Sequence, residues 1–313
     1  MQVKLSAKMS SERLRNIRKR IITGSFIVVV TILGVRFSPH SYLLFLGILC
    51  IGCMYEFFKI NSSQSSPFII SGLLLGVLAY VLHCFYILGY IPGAMLLFLT
   101  LIPVVLFAQS IFSKDRRPFY NVGITLAGLG YCVLPFICLS YLPINPIEIK
   151  NAKDYSQVFR WEIPMMYFLI IMANDSFAYL VGRFLGKTKL ARNISPGKTV
   201  EGLLGGIAGS LLFLFLLKDN LLKIDAYIRS SPWSKQKFGD TRVIFTDLDW
   251  YAFFALTVFF ALLGDLSESR LKRSFHIKHS SNFFPGHGGF LDRYDSILLS
   301  SIPCFIYLYI MKY

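Results

Sequence analysis

The chain has 313 residues, 55% of them hydrophobic and only 16% charged, with a formal net charge of +15. A mean hydropathy of +0.58 excludes an ordinary two-domain soluble protein and places the chain among polytopic membrane proteins. The basic residues fill gaps between apolar runs and form no soluble stripe, which points to anionic lipid headgroups and phosphate substrates and away from nucleic acid.

Residues 1–20 carry Lys4, Lys8, Arg13, Arg15, Arg18, Lys19 and Arg20, and read as a basic cytoplasmic arm. The apolar run 21–37 has the flanks of a signal peptide, but "RFSPH" follows it and supplies no small-residue cleavage site, so it reads as a retained helix. Further runs of spanning length fall at 42–58, 68–91, 93–112, 119–142, 164–186, 199–217, 250–268 and 296–311. The expected fold is an all-α integral membrane protein, a polytopic bundle of about nine transmembrane helices. Alternation from a cytoplasmic N-terminus puts the short basic segments 113–119, 186–199 and 267–281 on the cytoplasmic side. The long connections 143–163 and 218–249 then lie outside. Six cysteines all sit in apolar runs; Cys50 and Cys53 form a CxxC without a second ligand pair, and read as small buried apolar residues.

Polar residues concentrate in two stretches. In 171–206, Asn174 and Asp175 interrupt an apolar helix, and a carboxylate inside a membrane span is a functional candidate. Two GKT triplets follow, Gly186-Lys187-Thr188 and Gly197-Lys198-Thr199. Neither has the glycine spacing or preceding strand of a P-loop. Ser195, Lys198 and Thr199 instead open a helix whose N-terminus is expected to hold an anion. Gly202/Gly206 and Gly205/Gly209 are small-xxx-small pairs suited to close helix packing.

The second stretch is 264–296. A helix continuing through it aligns Asp265, Ser269, Lys272, Arg273 and His276 on one face. Asp292 and Asp295 share a face with Arg293 between them. Three carboxylates, Asp265, Asp292 and Asp295, beside several cations suit a divalent metal holding a polyphosphate, because magnesium prefers one or two carboxylates plus substrate oxygens. Pro285-Gly286-His287-Gly288-Gly289 is a glycine-rich loop whose backbone N–H groups could approach phosphate closely.

At these residues the chain resembles the phosphatidate cytidylyltransferases, or CDP-diacylglycerol synthases. Their C-terminal signature is matched by Ser269, Leu271, Lys272, Arg273, Lys278, Ser281, Phe284, Pro285, His287, Gly288, Gly289, Phe290, Asp292, Arg293 and Asp295. "NDSFAYLVGRFLGKTKL" with "SPGKTVEG" is similar to the family's second characteristic block. The resemblance covers 165–313, and the earlier residues only by hydrophobic character. His279 stands where the family usually has aspartate, and Tyr294 replaces an apolar residue.

The resemblance implies CTP and phosphatidic acid as substrates and CDP-diacylglycerol and pyrophosphate as products, for phospholipid biosynthesis. The expected organisation is the 1–20 arm, N-terminal transmembrane helices over 21–160, and a catalytic transmembrane region over 161–313. Asp265, Lys272, Arg273, Asp292, Arg293 and Asp295 are the candidate catalytic residues. Asn174, Asp175, Ser195, Lys198, Thr199, Ser269, Lys278, His287, Gly288 and Gly289 are the candidate substrate binders. Mg²⁺ is the expected cofactor, with a second monovalent or divalent cation beside it. Membrane lipids are the expected surroundings, nucleic acid is not a partner, and a homodimer is left open. The site should face the cytoplasm, from the inner membrane in a bacterium. Two rivals are a transporter of an anionic solute, with Asp175 and Asp265 as coupling carboxylates, and a non-catalytic lipid-binding homologue. The helix signature of the CDP-alcohol phosphotransferases is absent.

Overall fold

A computed structural model of the protein describes residues 22–144, 159–230, 245–284 and 288–311; the basic arm at 1–20 lies outside these residues, as do 145–158 and 231–244 of the two long connections, while 218–230, expected in the second connection, is helical. Nine apolar helices run through the described chain: α1 (Ile22–Arg36), α2 (Pro39–Asn61), α3 (Ile69–Ile87), α4 (Gly93–Ile111), α5 (Pro118–Ser140), α6 (Glu162–Leu185), α7 (Val200–Ser230), α8 (Asp247–Ser274) and α9 (Leu291–Met311). All but α1 are long and apolar enough to cross a membrane, giving the expected all-α polytopic bundle.

Helix ends follow caps, and this is where the structure departs from the apolar runs. α2 begins at Pro39 because Ser38 and Ser41 form a reciprocal capping box with proline at the first helical position. α8 begins at Asp247 through a second box between Thr246 and Asp249. At its other end α8 continues past the apolar run to Ser274, carrying Ser269, Lys272 and Arg273 with it. His276 was expected on the same helical face, but it lies beyond the helix in the left-handed region at φ 55°, where the chain turns away. α5 loosens into a π-helical turn at Leu129–Val133.

One continuous apolar core joins α2, α3, α5, α6, α8 and α9, with Tyr42, Phe58, Phe136, Tyr167 and Phe253 fully buried. The Tyr167 hydroxyl lies 2.5 Å from Ser300 Oγ and ties α6 to α9. A smaller cluster of Met166, Ile170, Leu214, Trp250, Phe254 and Val258 joins α6, α7 and α8. Outward-facing Phe26, Ile70, Leu97 and Phe112 are exposed, as lipid-facing side chains should be.

α6 and α7 pack through the glycines singled out in the sequence. A Cβ on Gly205 would lie 2.5 Å from the Val181 side chain, and one on Gly202 would lie 2.8 Å from the Ala178 carbonyl oxygen. Backbone approach of this kind substitutes for the hydrophobic drive that lipid removes. Gly205→Val should therefore cost about 1–3 kcal/mol through overpacking. Thermal denaturation in detergent should show a lowered midpoint for it, and none for Gly123→Ala, where an added Cβ meets nothing within 4 Å.

Candidate active site

Between α6 and α7 the chain makes a two-stranded antiparallel hairpin, β1 (Lys189–Ala191) with β2 (Ser195–Thr199), pairing Lys189 with Thr199 and Ala191 with Ser195. The sequence reading had no strand here. The expected anion cradle is also spent on the hairpin itself. The Glu201 carboxylate accepts from Lys187 N at 3.1 Å and Thr188 N at 3.0 Å. Val200 N donates to the Thr188 carbonyl at 2.9 Å, and Gly202 N to Thr199 Oγ1 at 3.1 Å. Thr199 is thus the cap of α7, and Lys198 offers its ammonium.

This hairpin meets the end of α8. Lys198 forms an ion pair with Asp265, and Arg273 Nε donates to the Ile194 carbonyl at 3.4 Å. The two polar stretches, far apart in sequence, are therefore one site at one end of the bundle. Gly264 brings α8 against the backbone of α9, where a Cβ would lie 3.2 Å from Ser296 Cα. That approach sets Asp265 beside Asp295. Ser269 Oγ is 3.4 Å from Asp265 Oδ1, and Asp175 faces Asp265, Lys198 and Arg293 from α6.

Asp292, expected at the metal, also holds the loop. Its Oδ1 accepts from Lys272 Nζ at 2.5 Å, and its Oδ2 from Ser280 N at 2.8 Å and Gly289 N at 3.0 Å. A carboxylate so occupied organises the loop. Lys272 is likewise committed, lying 2.5 Å from both Glu268 and Asp292. The His279 ring, at the variant signature position, is exposed and has Nδ1 3.8 Å from Asp292 Oδ2.

The glycine loop does not present bare amides either. Gly288 N donates to the Phe284 carbonyl at 3.1 Å, and Gly289 N is taken by Asp292. Gly288 is needed for its φ of +87°. His287 lies outside the described residues. Of the expected cradle, Gly288 and Gly289 shape the turn, and their amides are bonded to the Phe284 carbonyl and the Asp292 carboxylate.

Two adjoining cavities open here. One, of about 300 Å³, is polar: Ser269, Lys272, Arg273, Lys278, His279, Asp292, Arg293 and Asp295 line it. The other, of about 460 Å³, runs between α6, α7 and α8 and mixes Asn174, Lys198 and Thr199 with Ala178, Leu203, Ala261 and Leu262. Asp175, Ser195 and Asp265 border both. The buried Asn174 Oδ1 has no hydrogen-bond partner and borders the second cavity.

Two functional carboxylates were missed by the sequence reading. Glu56 of α2, 2% exposed, accepts four hydrogen bonds from the signature loop and the start of α9. Glu268, fully buried, holds Lys272. A carboxylate inside an apolar run is a functional candidate, and by that signal Glu56 stands out as Asp175 does. Glu268 sits among charged residues, where no such contrast exists.

For a cation, no group of three or more His, Cys, Asp or Glu is arranged as a metal site among the described residues. Four carboxylates border the polar cavity, Asp175, Asp265, Asp292 and Asp295, and of these, among the described residues, Asp265 and Asp295 accept no backbone amide of the loop. Such a donor set fits a magnesium ion that brings most of its own oxygens as water and substrate phosphate.

Fold and site together define a multi-pass membrane protein with a phosphate-suited cavity where two loops meet. The Cytidylyltransferase family model matches residues 18–311, and the chain belongs to this family. It is 30% identical over 292 residues to a phosphatidate cytidylyltransferase of Bacillus subtilis, covering 90% of this chain and 94% of that one. It is 39% identical over 142 residues to one of Haemophilus influenzae, covering 45% and 43%, and 38% identical over 176 residues to one of Rickettsia bellii, covering 56% and 65%.

The different offices of Asp265 and Asp292 are separable by stability. Asp292→Asn strips a buried partner from Lys272, which should cost about 3 kcal/mol. Asp265→Asn removes a partly exposed pair and relieves crowding with Asp175 and Asp295, so its effect should stay within about 1 kcal/mol. Thermal midpoints of the two variants in detergent test this contrast.

Proposed function

We propose that the protein is a CTP:phosphatidate cytidylyltransferase acting in phospholipid synthesis, with CDP-diacylglycerol and pyrophosphate as products. The observation that carries the reading is the shared wall of the two cavities at Asp175, Ser195 and Asp265. The polar cavity suits a triphosphate, and the mixed one suits a lipid headgroup with the start of its chains. Their junction is then where the two phosphates meet.

In this reading an oxygen of the phosphatidate phosphate attacks the α-phosphorus of CTP. A new P–O bond forms as the bond from the α-phosphorus to the bridging oxygen breaks, and the electron pair leaves with pyrophosphate. The attacking group is already an anion, so no protein nucleophile is required. The chain's work is positioning and charge neutralisation. Lys198, Lys278, Arg273 and Arg293 are the cations placed for phosphate oxygens, whereas Lys272 is held back by Glu268 and Asp292. Asn174 Oδ1 and Ser195 Oγ supply neutral polar contacts at the mixed cavity. Asp265 and Asp295 would hold Mg²⁺, which when bound neutralises charge on the triphosphate and the leaving pyrophosphate.

Purified protein given CTP, phosphatidate and Mg²⁺ should release pyrophosphate, lose that activity to a chelator, and regain it with Mg²⁺. Asp265→Asn should lower turnover about a thousandfold, equivalent to about 4 kcal/mol of transition-state stabilisation. No release by the wild-type protein across metals and detergents would overturn the reading.

The cytoplasmic placement of the site belongs to the same proposal and is supported by the basic charge of both loops. Single cysteines at Arg192 and Asn282, both exposed, should react with an impermeant maleimide from the cytoplasmic side only. Labelling from opposite sides, or from outside, would overturn it.

A further inference from the structure

Glu56 sits in α2, far in sequence from every motif of the site, and borders neither cavity. A carboxylate buried this deeply in an apolar helix is costly unless its lone pairs are matched. Here they are matched in full. Oε1 accepts from Ser281 Oγ at 2.6 Å and Phe290 N at 2.9 Å; Oε2 accepts from Ser280 Oγ at 2.7 Å and Leu291 N at 2.9 Å.

These donors hold both ends of the signature loop. Ser280 and Ser281 lie soon after α8, and Phe290 and Leu291 open α9. A helix begins with amides that have no partner within it, and a negative charge there is favoured by the helix dipole. Glu56 supplies that charge from another helix, as a cap in trans. α2 is shaped for the contact one turn earlier as well, since a Cβ on Gly52 would lie 2.6 Å from the Phe290 ring.

The arrangement continues toward the cavity. Ser280 Oγ also lies 3.0 Å from Asp292 Oδ2, and its single proton serves one carboxylate at a time. Asp292 then holds Lys272, and Lys272 holds Glu268. Glu56, Ser280, Asp292, Lys272 and Glu268 thus link α2, the loop, α9 and α8. Arg293 and Asp295 follow in the first turns of α9, which this linkage fixes.

We propose that Glu56 is a positioning residue of the reaction: its carboxylate seats Ser280, Ser281 and the start of α9 so that Arg293 and Asp295 face the polar cavity. The proposal rests on the cytidylyltransferase reading above. Misplacing a catalytic group by about 1 Å can cost about a hundredfold in rate. Glu56→Gln keeps the size but turns an N–H₂ toward one pair of donors. It should lower kcat by about 10- to 100-fold while leaving KM for CTP within about threefold, since Lys198 and Arg273, carried by the hairpin and α8, remain in place. Ser280→Ala cuts the hydroxyl link alone, leaves the backbone bonds of both carboxylates, and should lower kcat per folded molecule by about 3- to 10-fold, with a lowered thermal midpoint because a buried carboxylate loses a donor.

The experiment measures kcat and KM per folded molecule, with thermal midpoints and amide hydrogen exchange over 280–291, for wild type and both variants. A fall in kcat at near-constant KM supports the proposal. Wild-type kcat in Glu56→Gln, or losses of active protein alone with kcat per folded molecule unchanged, overturns it. Should Glu56→Gln fail to fold, the kcat of Ser280→Ala decides in the same way. If the wild type shows no turnover, the functional reading has failed, and the exchange data then decide the seating: unchanged protection of Phe290 and Leu291 in Glu56→Gln overturns it.

Discussion

Lys272 and Asp292 join the last turn of α8 to the first turn of α9 through an ion pair removed from water. Neither ion could stay there alone, because desolvation costs several kcal/mol per charge and must be offset by close partners. Glu268 sits on the other side of Lys272, and the amides of Ser280 and Gly289 sit on the other oxygen of Asp292. The signature loop takes its path because it has to deliver those amides. Its glycines follow from the same requirement: a side chain at Gly289 would run into the Glu56 carboxylate and the Ser280 hydroxyl.

Committing these groups to structure decides which groups are left for chemistry. Lys198, Lys278, Arg273 and Arg293 border the cavities, and Asp265, Asp295 and Asp175 border them on the acidic side. A polar cavity alone would suit any nucleotide. Its shared wall with a cavity half lined by alanine and leucine, inside a bundle of membrane length, is what favours a lipid as second substrate. The close α6–α7 packing through glycine keeps that second cavity narrow, since helices in lipid are held by fit and not by exclusion from water.

Much of this architecture was legible before any coordinates. Nine apolar runs became nine helices, and Gly202, Gly205, Gly206 and Gly209 became the close α6–α7 contact, because hydrophobicity and small side chains act locally and repeat with the helix. Helix ends were less legible: the α8 run turns polar near residue 268, but its backbone continues to Ser274, since a helix needs caps and hydrogen bonds and not apolar side chains to persist. The hairpin at 189–199 was hidden because its residues read equally well as a charged loop.

The sequence by itself determined the membrane class, the family and the pool of charged residues from which a site could be drawn. Composition and spacing carry that information directly. Only the tertiary structure decided how the pool divides: Asp292, Lys272, Glu56 and Glu268 to mutual neutralisation and loop anchoring, Asp265, Asp295, Asp175 and Lys198 to the cavity walls. The physical reason is that a carboxylate's role depends on which donors reach its oxygens. For Asp292 those donors come from α8 and the preceding loop, and for Glu56 from the far end of the chain. No spacing along one strand of sequence can express that meeting.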